Sequence, residues 1–231
     1  MEIRRFLAMT GKELAQAGSV LSPIGWMACH FSGDGGITNV PSILPSHSLL
    51  ILDDSTPPQN VKINHIRETI GAALHRCNCY GLLLDFQRRD FPENQAVAKD
   101  LVSLPFPVAV SEPYGNDLSC PIFLPPPPLD MPLREYLAPF QGREIWLEMA
   151  LGTLTLTLTP QGCARKAGDC CQDPLPFSDE SLHCRYRIDC ENKSAVFTLK
   201  RTKEDLHSLL KEAEGFGVTH AVGLYQELGE M

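Results

Sequence analysis

Short apolar runs that end in polar side chains recur along this chain, with helical segments between them. That alternation constrains the fold more than any single motif does. The clearest example is Tyr80-Gly81-Leu82-Leu83-Leu84-Asp85-Phe86-Gln87. Its apolar residues read as a buried strand. Residues two apart on a strand project to the same side, so Asp85 and Gln87 are expected to emerge together at its end. The plainer reading is a core strand running into a solvated turn, Arg88-Arg89-Asp90.

Several segments repeat the pattern. Gly25–Phe31, Ser48–Asp54, Pro107–Pro113, Cys120–Leu124 and Glu144–Leu151 read as strands, and Gly217–Glu227 as a closing strand. Val61–Arg76 carries Ile63, Ile66, Ile70, Ala73 and Leu74 at helical spacing. Asn94–Leu104, Pro132–Phe140 and Thr202–Phe216 also read as helices, the last with Thr202 as its cap and Asp205 three residues on. Residues 1–20 have Ile3, Phe6, Leu7, Leu14 and Ala17 in a weak helical pattern, so a helical segment over 1–24 is expected. Pro125-Pro126-Pro127-Pro128 is a stiff loop. Thr153–Thr159 alternates Thr and Leu strictly, the mark of a half-buried antiparallel strand. Cys184–Asp189 and Ala195–Leu199 read as a hairpin turning at Glu191-Asn192-Lys193, and 160–183 as irregular.

Apolar strands alternating with helices form parallel sheets. Seven or eight such strands favour closure into a (β/α)8-type (TIM) barrel of the α/β class, complete or irregular. It forms a single domain over 1–231, with an antiparallel β-rich excursion at 152–200. Asp53, Asp54, Asp85, Gln87, Glu112, Tyr114, Glu148, Tyr225, Gln226 and Glu227 lie at or near strand ends, the face where such barrels build sites. All but Asp54 are expected to line a ligand pocket, with Asp85 and Glu112 as the candidate catalytic residues.

Composition narrows the partners. The 231 residues are 43% hydrophobic and 21% charged, with a net charge of −8 and no basic block, which argues against a nucleic-acid backbone as ligand. No apolar run is long enough for a membrane span. Met1–Ser19 lacks the apolar centre of an export signal, so a cytoplasmic setting is expected. Nine cysteines are present. Cys163, Cys170, Cys171, Cys184 and Cys190 crowd one polar segment without zinc-knuckle spacing, so no metal or other cofactor is expected there. A Cys184–Cys190 bridge across the hairpin is conceivable, but free thiols suit a reducing compartment better.

Four local matches, in the right order, resemble the family 18 glycoside hydrolases, the chitinase-like barrels. Gly81–Gln87 is similar to that family's central strand, D-G-x-D-x-D-x-E. Pro107-Val108-Ala109-Val110-Ser111 looks like its next strand. Lys200–Gly217 is similar to the helix before its last strand, and Gly223-Leu224-Tyr225-Gln226-Glu227-Leu228-Gly229 to the closing Y-W-x-L-G. The resemblance implies a substrate-assisted mechanism in which the motif's last Glu protonates the glycosidic oxygen and the preceding Asp orients the sugar's acetamido group. Asp85 keeps that second position, but Leu83 stands for the first Asp and Gln87 for the acid. An amide has no proton to give at neutral pH. The family's M-x-Y-D strand end would fall at Cys120–Pro128, where only Pro and apolar residues stand, and Tyr225 would replace its tryptophan. Loss of a general acid costs about 10²–10⁴ in rate.

Three functions compete. The first is a noncatalytic barrel that binds a carbohydrate or similar polar ligand. The second is a glycosidase with relocated carboxylates, Glu112 with Glu148 or Glu227, at a separation of about 5–5.5 Å for retention or about 6.5–9.5 Å for inversion. The third is a metal-dependent hydrolase using Asp53, Asp54, Asp85 and Glu112 with His30, which lacks the usual H-x-H or H-E-x-x-H spacing. Oligomeric state is not legible.

Overall fold

Eight parallel strands close on themselves. The computed structural model describes residues 2–17, 23–168, 175–191 and 193–228. In chain order the barrel strands are β1 (Arg4–Met9), β2 (Ile24–Phe31), β4 (Leu49–Asp53), β5 (Gly81–Asp85), β6 (Val108–Ser111), β7 (Ile122–Leu124), β8 (Ile145–Met149) and β14 (Val218–Leu224). Each pairs in parallel with the next, and β1 pairs with both β2 and β14, which removes the open edges. The expected TIM-type barrel is therefore present.

The ring of helices is uneven. The helices α2 (Ile63–Arg76) and α3 (Pro92–Leu101) cover one flank, while α5 (Leu133–Leu137) and α6 (Lys203–Ala213) cover another. Between β2 and β4 the chain forms only a two-residue strand, β3 (Ile37–Thr38), and no helix. The link after β6 is a single helical turn, α4 (Glu112–Gly115). Leu50, Leu52, Leu82, Leu84, Val108 and Val110 face outward against Ile66, Ile70, Leu74, Val97 and Leu101. Ile122, Ile145, Leu147 and Ala221 do the same against Leu133, Leu137, Leu206 and Leu209. Both faces of these strands are buried, which explains their unbroken apolar runs.

The first strand corrects the helix expected near the N-terminus. Ile3, Phe6 and Leu7 fit a helical spacing, but Phe6 and Ala8 point into the barrel while Ile3, Leu7 and Met9 pack outside it. A strand buried on both faces loses the alternation that would mark it. The helix there is the short α1 (Gly11–Gln16), opened by a Thr10–Glu13 capping box.

The excursion between β8 and α6 is a second sheet. Its strands β9 (Gly152–Thr159), β10 (Gly162–Ala167), β11 (Phe177–Asp179), β12 (Cys184–Glu191) and β13 (Ser194–Arg201) run in the antiparallel order β10-β9-β13-β12-β11. Two of these, β10 and β11, lie in the segment expected to be irregular. They are largely exposed, so no apolar alternation announces them. Leu154 and Leu156 of β9 join Leu129, Cys184 and Leu199 in a small core. Buried Arg201 ties the sheet to the barrel by donating to the Pro127 carbonyl at 2.8 Å. Cys184 and Cys190 are free thiols six residues apart on one strand, roughly 20 Å along its length, so they cannot bridge. Cys170, Cys171 and Asn192 lie outside the described residues.

Inside the barrel, Phe6, Ala8, Leu49, Ile51, Leu83, Ala109, Phe123, Trp146 and Val222 form the packed interior. The end where the strands begin is closed by a polar-aromatic plug. His220 Nε2 meets the Tyr80 hydroxyl at 2.7 Å, His220 Nδ1 meets Thr219 Oγ1 at 2.7 Å, and the Arg4 guanidinium lies 4.2 Å from the centre of the Tyr80 ring. Glu144 Oε1 accepts from Trp146 Nε1 at 3.2 Å and from Thr219 Oγ1 at 2.9 Å. Burial pushes the His220 imidazole down to about 4 from its ordinary 6.5; nearby Glu144 opposes that shift and Arg4 adds to it. The unfolded chain therefore binds the proton first as pH falls. His220 should cost the fold roughly 3 kcal/mol between pH 6.5 and 4, with stability rising with pH across that window. Urea midpoints measured across it in wild type and His220→Gln test this, because the variant should lose that slope.

Among the described residues, no helix is long and apolar enough to cross a membrane.

Candidate functional site

One step along four of the strands from the apolar interior, the side chains turn polar. With a period of two, Ile51 is followed on the inward side by Asp53, Leu83 by Asp85, Ala109 by Ser111 and Trp146 by Glu148. Asp53 and Asp85 are register partners on neighbouring strands. The same parity places Leu224, which follows Val222, at the mouth, and Leu224 is exposed. These positions form the rim at the strands' C-terminal ends, where βα loops build sites.

Asp53 is held by its neighbours. Its Oδ1 lies 2.8 Å from His30 Nδ1 and accepts from the Ser55 amide at 2.9 Å. Asp85 accepts from the Gln87 side-chain amide at 2.5 Å and from Ser111 Oγ at 3.4 Å. Burial raises the Asp85 carboxyl above the usual carboxylate range, and repulsion from Asp53 and Asp54 adds to this against the Gln87 and Ser111 bonds. Glu148 is pushed up to about 7 by burial and by the negative charge of Asp85 and Glu227. Among the described residues no hydrogen bond or ion pair holds its carboxyl group.

Gly223 allows the next turn to close. A Cβ there would meet the Met149 carbonyl at 2.5 Å and Leu228 at 2.3 Å, so only glycine lets the final turn α7 (Tyr225–Leu228) fold onto β14. That turn brings Glu227 to the mouth, where its Oε2 accepts from the Leu151 amide at 3.0 Å. It also ends the strand at Leu224, three residues earlier than expected. Tyr225 accordingly packs between the two outer cores, and Gln226 donates to Glu13 Oε1 at 2.6 Å on the outer rim.

The remaining candidates organise the rim. Glu112 opens α4 and accepts from Asn116 Nδ2 at 3.0 Å and Arg89 Nη2 at 3.4 Å. Gln87, Arg89, Ser111, Glu112, Phe123 and Pro125 line a cleft of about 120 Å³. Asp54 is buried and accepts from the Gln87 and Arg88 amides and from Asn94 Nδ2, at 3.0, 2.9 and 2.8 Å, so it shapes the loop after β5. Tyr114 is buried beneath that loop, donating to the Arg88 carbonyl and accepting from the Phe91 amide at 3.2 Å. The structure thus brings Asp53, Asp85, Gln87 and Glu148 to one mouth with Glu112 and Glu227 at its edge, while Tyr114, Tyr225 and Gln226 point elsewhere. Among the described residues no group of three or more His, Cys, Asp or Glu side chains is arranged to hold a metal ion.

Sequence reading missed Ser111, Leu224 and Tyr136. Counting by two from Ala109 would have found Ser111. Tyr136 sits on α5 and donates to the Pro125 carbonyl at 2.8 Å; burial raises its hydroxyl pKa, and the charges of Glu112 and Glu148 raise it further. Only packing could place it beside the mouth.

No protein-family model matches the sequence, and no curated protein matches it. Solved structures do share the fold. The spore cortex-lytic enzyme SleL of Bacillus cereus superposes with a TM-score of 0.60 at 11% identity, over 96% of this chain and 70% of that one. The SleL of Bacillus megaterium QM B1551 gives 0.57 at 12% identity, with the same coverage. The chitinase of Chromobacterium violaceum ATCC 12472 gives 0.57 at 10% identity, over 99% of this chain and 96% of that one. The likeness to chitinase-like barrels expected from the sequence thus holds for the fold.

Proposed function

We propose that this chain is a carbohydrate-binding barrel of the family 18 type, whose mouth retains a polar cleft but has lost the family's proton donor. One observation carries this reading. Gln87 stands at the motif's acid position, and its amide is spent on Asp85. An amide bonds sugar hydroxyls well and has no proton to deliver. The fold shared with chitinases and cortex-lytic enzymes supports a glycan as ligand, and the inward ring of Asp53, Asp85, Ser111 and Glu148 offers acceptors for its hydroxyls. Calorimetric titration with a panel of β-1,4-linked tetrasaccharides tests it. Binding that Asp85→Ala weakens by about tenfold, the scale of a lost hydrogen bond to a charged group, is the expected result. Heats indistinguishable from dilution for the whole panel would sink it.

A second reading is favoured by the proton that Glu148 keeps near neutrality. A carboxylic acid with a pKa near the working pH is suited to general acid catalysis. Hydrolysis would then run through Glu148 as acid and Asp85 as its partner, in place of the Glu112 pairings. Reducing-end release that Glu148→Gln abolishes, while Gln87→Ala leaves it intact, would establish this reading over the first.

A further inference from the structure

We infer that the apolar face of the five-stranded sheet is covered by a second copy of this chain, giving a reversible dimer with two-fold symmetry. Side chains alternate along these strands, so the register fixes which residues share a face. Leu154 and Leu156 stand on one face with Phe197 and Leu199 of β13, and Leu129 packs against that end of it. The face continues past this core into solvent. Leu158 is 42% exposed, Ile188 39% and Phe177 51%, and all three lie on it. Phe197 and Tyr186 join them into one patch, with the Tyr186 and Phe177 rings 5.4 Å apart between centroids. Large apolar side chains exposed together, rather than scattered singly, mark an interaction surface.

The occupant follows from charge and from symmetry. Of the charged side chains on this face, Arg201 is buried, Asp179 accepts from Ser181 Oγ at 2.7 Å, and Arg165 donates to Asp130 at 2.6 Å. Lys166, Arg185, Arg187 and Asp189 alternate with the apolar residues and project from the opposite face. A second chain of net charge −8 can therefore approach here without bringing like charges together. The register supplies the symmetry. Cys163, Leu158, Ala195 and Cys190 stand opposite one another in a single row across β10, β9, β13 and β12. Among the described residues, Cys163 and Cys190 are the only exposed cysteines. A two-fold axis along the strands, between β9 and β13, lays this row over itself in reverse. Leu158 then meets the partner's Ala195, a large side chain against a small one, and Cys163 meets the partner's Cys190. The contact covers two thiols that behave as small apolar groups. Strands about 4.8 Å apart and rows about 7 Å apart give a footprint of roughly 400 Å² on each copy. The pair buries about 800 Å², below the roughly 1,200 Å² of lasting complexes, so the dimer should dissociate on dilution.

Sedimentation velocity of the full chain in reductant, over a wide range of concentration, tests this. A monomer–dimer equilibrium that shifts with concentration is expected. Leu158→Asp and Ile188→Glu each place a charge in the apolar contact and should weaken association at least about tenfold. Lys166→Glu, on the opposite face, should leave it unchanged at physiological salt. Both apolar positions are exposed in the single chain, and thermal unfolding checks that each variant folds. A second measurement needs no substitution. Within one chain Cys163 and Cys190 are three strand spacings apart, about 14 Å, too far for a disulfide. Mild oxidation with copper phenanthroline should therefore join Cys163 of one chain to Cys190 of the other, the two thiols giving up two protons and passing two electrons to the oxidant. Peptide mass mapping reads the link. A monomer at every concentration would overturn the second copy as occupant, whichever other partner the face then takes. Association that ignores both Leu158→Asp and Ile188→Glu would put the contact on another surface and overturn the inference too. Cys163 joined to Cys163, and Cys190 to Cys190, would support the face and overturn the axis along the strands.

Discussion

Replacing Trp146 by alanine is expected to cost about 3–5 kcal/mol, the range for emptying a large aromatic site in a packed core. Trp146 is fully buried at the barrel's centre. Its ring lies 4.2 Å from His220, 6.3 Å from Tyr80 and 6.5 Å from Phe6, centroid to centroid. Its indole N–H is satisfied by Glu144 at 3.2 Å, so truncation also frees an acceptor in the basal plug. The interior is closed by strands on every side and cannot collapse easily into the void. Against a typical total of 5–15 kcal/mol, this loss leaves a marginal protein. Urea unfolding reads it as a lower midpoint with an unchanged slope. Leu224→Ala, on the same inward register but exposed at the mouth, should change stability by under about 1 kcal/mol. Similar costs at the two positions would mean that the interior is not packed as described.

Glu148→Gln is expected to stabilise the protein at neutral and alkaline pH. The carboxyl titrates at about 7 in the fold, against about 4.3 in an unfolded chain. Between those values the folded state holds the proton and the unfolded state does not, so wild-type stability falls as pH rises. The accumulated cost is roughly 3 kcal/mol above pH 7 and vanishes below about pH 4. Glutamine keeps the shape and cannot ionise, so the variant should gain that amount at pH 8 and almost nothing at pH 4. His220 slopes the other way from about pH 4 to 6.5. The two groups therefore partly offset each other in wild type, and Glu148→Gln should expose a clear rise in stability over that window. Thermal unfolding at five pH values distinguishes the cases. No gain at pH 8 would show that Glu148 ionises freely in the fold. A group that costs stability at neutral pH is what a site held ready for a ligand leaves behind.

What the sequence determined by itself was local. Apolar runs bounded by helical periodicity were enough to locate β4 to β8, α2 and α6. Thr202 with Asp205 was enough to cap α6, where the capping box is formed. Counting by two paired Asp85 with Gln87, which are hydrogen-bonded at 2.5 Å, and strand ends located Asp53 and Glu148, because pleating carries a fixed parity as far as the strand lasts. That parity ends where the strand ends. Tyr114 and Tyr225 lie just past strands, in turns whose direction depends on what they pack against. Tyr114 went under the loop after β5, and Tyr225 went between the two outer cores. Tertiary structure alone decided that residues 4–9 form a strand, since closure of the barrel buries both of its faces and erases the pattern. It alone also decided that Glu148 keeps its proton, because burial and the charges of Asp85 and Glu227 act through space from strands far apart in the chain.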